Sequence, residues 1–249
     1  MMSSSQSSTP SFVSAHLRSR VVIILLITGV VVNGLSILCA ALVLQFPMPT
    51  ERQELGDAPV GVALAFFLIA MALISVVVYV STIIAFCMWL HRAYKNLSAF
   101  GAFKLNHSPG WAVGSFFVPF VSLVVPYRAV KEVWQKSVPP EQSRLSEPSP
   151  PGWFPVWWLF WLLCTWAGNI SFRMSFTEGV SESTAEIVSI VADFLAIIAA
   201  LFAYVVIGDI DDRQEETARM LGLKNAAGPP PPPTLDEPVV PVMNNLSNL

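Results

Sequence analysis

Few residues in this sequence have the type and setting for chemistry. Asp193 is the one acid inside a long apolar run. An ionisable side chain at membrane depth is costly, and such residues are often functional. Asp193 lies about 6 Å along a helix from the middle of its run. Asn169 and Arg173, at the end of the preceding run, and Asn33, midway along the first, are the polar residues within reach of it. Such a cluster suits either a proton or ion relay or an interhelical polar contact that fixes packing.

A second group is basic. Arg92, Lys95, Arg128, Lys131 and Lys136 flank apolar runs and form a collar. A collar of this kind sets topology and attracts anionic lipid headgroups, and it could also dock an anion or a protein partner. Other chemistry is poorly supported. His16, His91 and His107 have no metal-ligand spacing. No GxSxG, HExxH or P-loop occurs. No enzymatic role, metal or cofactor is expected. Cys39, Cys87 and Cys164 all fall in apolar stretches and read as small packing residues. Leu38 precedes Cys39 where a lipoprotein cleavage site needs a small residue.

The elements that must position these residues are set by composition. Hydrophobic residues make up 54% of the 249 positions and charged ones only 12%. Soluble domains carry about 25% charged residues. Mean hydropathy is +0.60. The sequence therefore describes an all-α integral membrane protein. Its net charge of −3 gives no reason to expect nucleic acid as a partner.

The Ser-rich residues 1–20 read as a disordered N-terminal segment and 21–46 as a first transmembrane helix. The second span is 62–90, the third 153–172 and the fourth 187–208. Residues 209–224 read as a polar helix leaving the bilayer, and 225–249, with five consecutive prolines, as a disordered tail. Residues 127–137 put Tyr127, Val130, Val133 and Trp134 on one face, the pattern of an interfacial helix lying flat on the membrane.

Between these lies "PGWAVGSFFVPFVSLVVP", 109–126. Its apolar part would extend roughly 22 Å as one helix, short of the roughly 30 Å hydrocarbon core. Pro119 interrupts it. If it crosses, Lys and Arg divide almost evenly between the two sides. If it enters and returns, only Arg52 and Arg173 remain outside. Basic residues concentrate on the cytoplasmic side, so the second layout is expected: four transmembrane helices, a Pro-kinked re-entrant hairpin, and both termini cytoplasmic. Trp89, Trp111, Trp134, Trp153, Trp157 and Trp158 then gather near one interface. The hairpin needs protein around its backbone. Gly110 and Gly114 would allow close approach, and Ser115 and Ser122 would supply hydrogen bonds.

The stretch "WLHRAYKNLSAFG", followed by "SPGWAVGSFFVPFVSLVVPYRAVKEVWQKS", resembles the bacterial domain-of-unknown-function family numbered 4328. The matching positions include Trp89, Arg92, Ala93, Asn96, Leu97, Gly101, Pro109, Gly110, Trp111, Ala112, Val113, Gly114, Pro119, Pro126 and Tyr127. The resemblance covers about 60–216. Ser122 stands where the family pattern has Asn, and Val125 where a basic or polar residue is common. The resemblance implies a bacterial membrane protein and supplies no reaction.

Two functions fit these readings. One is a membrane-embedded scaffold or interaction protein, with the lipid bilayer, a protein at the cytoplasmic face or a second copy of itself as partner. The other is a small transporter or channel-like protein using the hairpin and Asp193.

Overall fold

The computed structural model describes residues 11–45, 59–145, 148–174 and 176–223. Among these, all regular structure is helical: α1 His16–Gln45, α2 Pro59–Ala99, α3 Pro109–Gly114, α4 Val125–Lys136, α5 Pro140–Leu145, α6 Trp153–Met174 and α7 Glu182–Met220. The expected tail at 225–249 and the connection at 47–58 lie outside the described residues.

Uncharged apolar runs become helices because a chain in lipid must satisfy its backbone internally. Three helices are long and apolar enough to cross a membrane, over His16–Leu42, Phe66–Ala99 and Ser183–Met220. The chain is a membrane protein. Local signals set several helix ends. Ser181 caps α7 by accepting from the Thr184 N–H at 3.2 Å. Gly101, at φ +72°, ends α2, while the Ala102 N–H returns to the Leu97 carbonyl at 3.1 Å.

The long helices form a row in which α1 packs between α2 and α7, and α7 packs between α1 and α6. Neighbours run antiparallel: Phe160 stacks on Phe202, while Trp134 joins Phe154 to Asp209. Packing along the row is uneven. On α2, Phe66, Phe67, Leu73, Val76, Val77 and Tyr79 are exposed, whereas Trp89, Leu90, Ala93, Tyr94, Asn96 and Leu97 are buried. The core is gathered at one end, which we term the head. It is built from the last turns of α2, the start of α1, α4, the start of α6 and the end of α7.

Three sequence expectations change here. Residues 11–15, read as part of a disordered 1–20, lie on the head: Phe12 stacks on Phe100 at 5.5 Å and Ala15 is buried. The residues at 209–220 are not a separate polar helix, because α7 runs unbroken through them. The apolar face of α4 does not lie on lipid; Val130, Val133 and Trp134 are buried against the rest of the head. In each case the polar ends of the long helices present apolar surface that a neighbouring segment covers.

Candidate functional site

Between Ser108 and Val125 the chain reverses. Ser108 caps α3 by accepting from the Trp111 N–H at 3.1 Å, and Pro109 sits in the first turn, where its missing N–H costs nothing. A 3₁₀ turn over Ser115–Phe117 leads to Pro119, and a second over Val121–Leu123 leads into α4. The reversal is a γ-turn centred on Phe120, with φ +63° and ψ −41°, in which the Val121 N–H donates to the Pro119 carbonyl at 2.7 Å. This turn with positive φ is rare and strained. Its tip is apolar and open: Phe117 is 66% and Phe120 86% exposed.

Protein supports the reversal on one side. Phe116 sits edge-on to Phe86, Trp158 and Trp161, Tyr127 lies by Trp158, and the Trp158 indole N–H donates to the Leu123 carbonyl at 3.0 Å. Ser115 is buried and donates to the Ala112 carbonyl, while Ser122 is half-buried in the second 3₁₀ turn. Gly110 and Gly114 do not serve close helix approach, since a Cβ at either would have no neighbour within 4 Å. Pro126 is buried at the start of α4.

From there α4 carries a buried face and a polar face. Glu132 belongs to the buried one. Its carboxylate accepts from the Tyr94 hydroxyl at 2.6 Å, the Asn106 backbone and side-chain N–H groups at 2.7 and 3.0 Å, and His107 Nδ1 at 2.9 Å. Carboxylate oxygens that accept charge-assisted or short bonds hold their partners firmly. The loop before α3 is thereby tied to the middle of α4.

Beside it Gln214 of α7 uses both side-chain hydrogens, on the Ala93 carbonyl at 2.8 Å and Ser137 Oγ at 3.1 Å, and accepts from the Asn96 amide at 3.0 Å. Asp211 accepts from Ser19 at 2.9 Å and pairs with His16 at 2.6 Å, and Ser14 donates to Glu215. The Trp134 indole donates to Asp209 at 2.8 Å, with the Arg213 guanidinium 3.8 Å above its ring. These contacts join α1, α2, α4 and α7 into one rigid unit.

The polar face of α4 is a wall of an open groove of about 420 Å³, lined by Arg128, Lys131, Lys136, Gln135, Asn106 and His107, with Glu132 at its base. The expected basic collar therefore divides. Arg128, Lys131 and Lys136 meet in the groove. Arg92 instead donates to the Val13 carbonyl at 3.1 Å and the Ser11 carbonyl at 3.5 Å, and Lys95 is exposed on α2. Cations on a fixed helical wall can hold the oxygens of an anion.

The polar residues expected around Asp193 are not drawn into one cluster. Asp193 lies beside Ser36 of α1. Asn169 returns its amide to the Thr165 carbonyl at 2.7 Å, and Arg173 is exposed at the end of α6. Asn33 lies one turn from Ser36, half-buried. Ser36 also borders a cavity of about 300 Å³ shared with Cys39, Met71, Ser75 and Glu186.

Sequence reasoning missed Tyr94, Asn106, Glu132, Ser137, Asp211 and Gln214. A signal existed in α7. The buried stripe Ala199, Ala203, Ile207, Ile210 continues at helical spacing into Asp211, Gln214, Thr217 and Ala218.

A family model described as "Domain of unknown function (DUF4328)" matches residues 54–212. Neither the curated proteins nor the solved structures contain a match.

Proposed function

The chain belongs to the DUF4328 family, whose function is unknown, and on that premise we propose that it is a membrane-embedded interaction or scaffold protein whose binding part is the head. The observation that carries this reading is the contrast within the fold. The head has a dense core and buried hydrogen-bonded networks that cross between helices, while the apolar lengths of the helices are thinly packed. A rigid, polar-surfaced unit at the membrane face suits holding a partner in a fixed pose.

In this reading four helices span the bacterial cytoplasmic membrane, and both termini and the head lie in the cytoplasm. The fourth span is α6; its 22 residues extend about 33 Å and run along α7. Residues 109–126 dip into the bilayer and return. In support, His107 and Glu132, which flank the stretch, lie 2.9 Å apart, whereas a span would part them by roughly 30 Å. The charge bias supports this face as the inner one.

The second reading, a small transporter, draws on the Ser36–Asp193 contact beside the 300 Å³ cavity. Reconstitution of the purified chain in liposomes separates the two. The scaffold reading expects no proton or cation flux above that of empty liposomes. A flux abolished by Asp193→Asn would overturn it.

A further inference from the structure

We infer that the Arg128–Lys131–Lys136 groove, together with the hairpin tip beside it, is a binding site for the headgroup of an anionic phospholipid. This rests on reading the head as a binding module and names what it binds.

The first argument is charge. Arg128 and Lys131 line the groove against one carboxylate, and Glu132 already accepts four hydrogen bonds from the head. The charge left facing the groove is positive. Arg128 is exposed, and Lys131 lies one turn further along the same rigid helix. That pair suits a phosphodiester, which an arginine fork and a lysine can hold together.

The second argument is what adjoins the cations. The Arg128 N–H bonds the Val124 carbonyl at 3.2 Å, so the guanidinium begins one turn from the hairpin tip. There Phe117, Val118, Phe120, Leu123 and Val124 are all exposed. Trp111, on the entering arm of the hairpin, is 46% exposed, as befits a ring at headgroup level. A free phosphate would use only the cations. An acidic polypeptide would leave the phenylalanines in water. A phospholipid satisfies both: its phosphate meets Arg128 and Lys131 while its acyl chains lie along Phe117, Phe120 and Val124. The strain at Phe120 then holds an aromatic side chain out at the tip, where glycine would be the relaxed choice.

The test uses the full-length chain in detergent, titrated with phosphatidylglycerol or phosphatidylcholine of equal chain length, with bound lipid read by native mass spectrometry. Phosphatidylglycerol is expected to bind at least tenfold tighter. Arg128→Gln/Lys131→Gln should weaken it by roughly 30-fold, the effect of two surface cations. Lys95→Gln/Lys104→Gln, with the same change in charge, should leave it unaltered. Arg128→Gln alone, at an exposed position, should show a partial loss should the double variant fail to fold. Equal binding of both lipids, or equal losses in the control pair, overturns the inference. So does displacement of the lipid by soluble glycerophosphate or by polyglutamate at equal concentration. In those two cases the groove still binds anions and the head stands as a binding module. If no lipid, glycerophosphate or polyglutamate binds in a groove-dependent way, both readings fall.

Discussion

His107 Nδ1 lies 2.9 Å from a Glu132 carboxylate oxygen, closing a loop of 25 residues that contains the whole proline-broken apolar stretch. The two residues stand at the gateway of the hairpin, one where the chain departs from the head and the other where it has come back. The contact makes the topology testable. In a chain cleared of its three native cysteines, Lys95→Cys and Glu141→Cys lie on exposed positions on either side of the stretch. Both are expected to react with a membrane-impermeant maleimide in inverted vesicles and neither in intact cells. Ser137 is unsuitable as a reporter because it is buried and bonded to Val133 and Gln214.

Gln214→Leu is expected to destabilise the head by roughly 2 kcal/mol, since it strands the Asn96 amide in a buried site. Glu216→Leu, exposed on the same helix, should change little. Thermal unfolding in detergent compares the two.

Trp158→Phe keeps most of the ring but removes the N–H that Leu123 accepts. Backbone amides at 121–124 should then exchange with solvent about tenfold faster, a loss of roughly 1–1.5 kcal/mol at the hairpin, while α7 amides keep their rates. Mass-resolved hydrogen exchange is the readout.

Phe120→Gly is expected to raise stability by about 1 kcal/mol, because the γ-turn no longer forces a side chain into positive φ. Gly101→Ala should do the reverse by about 1 kcal/mol, since Gly101 ends α2 at φ +72°. Paired melting curves decide both.

The apolar half of this fold was legible in sequence. The runs at 62–90 and 153–172 fall within the observed α2 and α6, and the described part of the first run, 21–45, within α1, because an uncharged stretch of that length has few stable alternatives to a helix. Pro119 lies between the two 3₁₀ turns of the reversal, and Pro126 sits in the first turn of α4. The head was not legible. Glu132, Asp211 and Gln214 are polar, and polar residues past the end of a span read as solvated. Their burial depends on partners distant in the chain, 25 to 38 residues for Glu132 and over a hundred for Asp211 and for Gln214 with Asn96, and no local period encodes those pairings. Arg92 misled for the same reason: its charge suggested a surface collar, while its actual partners are carbonyls of residues 11 and 13.

One helix, α7, meets α1 at two levels, with Asp193 beside Ser36 and with Asp211 bonded to His16 and Ser19. Eighteen residues of unbroken spiral, about 27 Å, separate the two levels. Angular phase is thus shared between membrane and head. One extra residue inserted near Gly208 would swing every downstream side chain by about 100° and turn Gln214 away from Asn96, whereas an insertion of seven would nearly restore the bearing at the cost of a longer shaft.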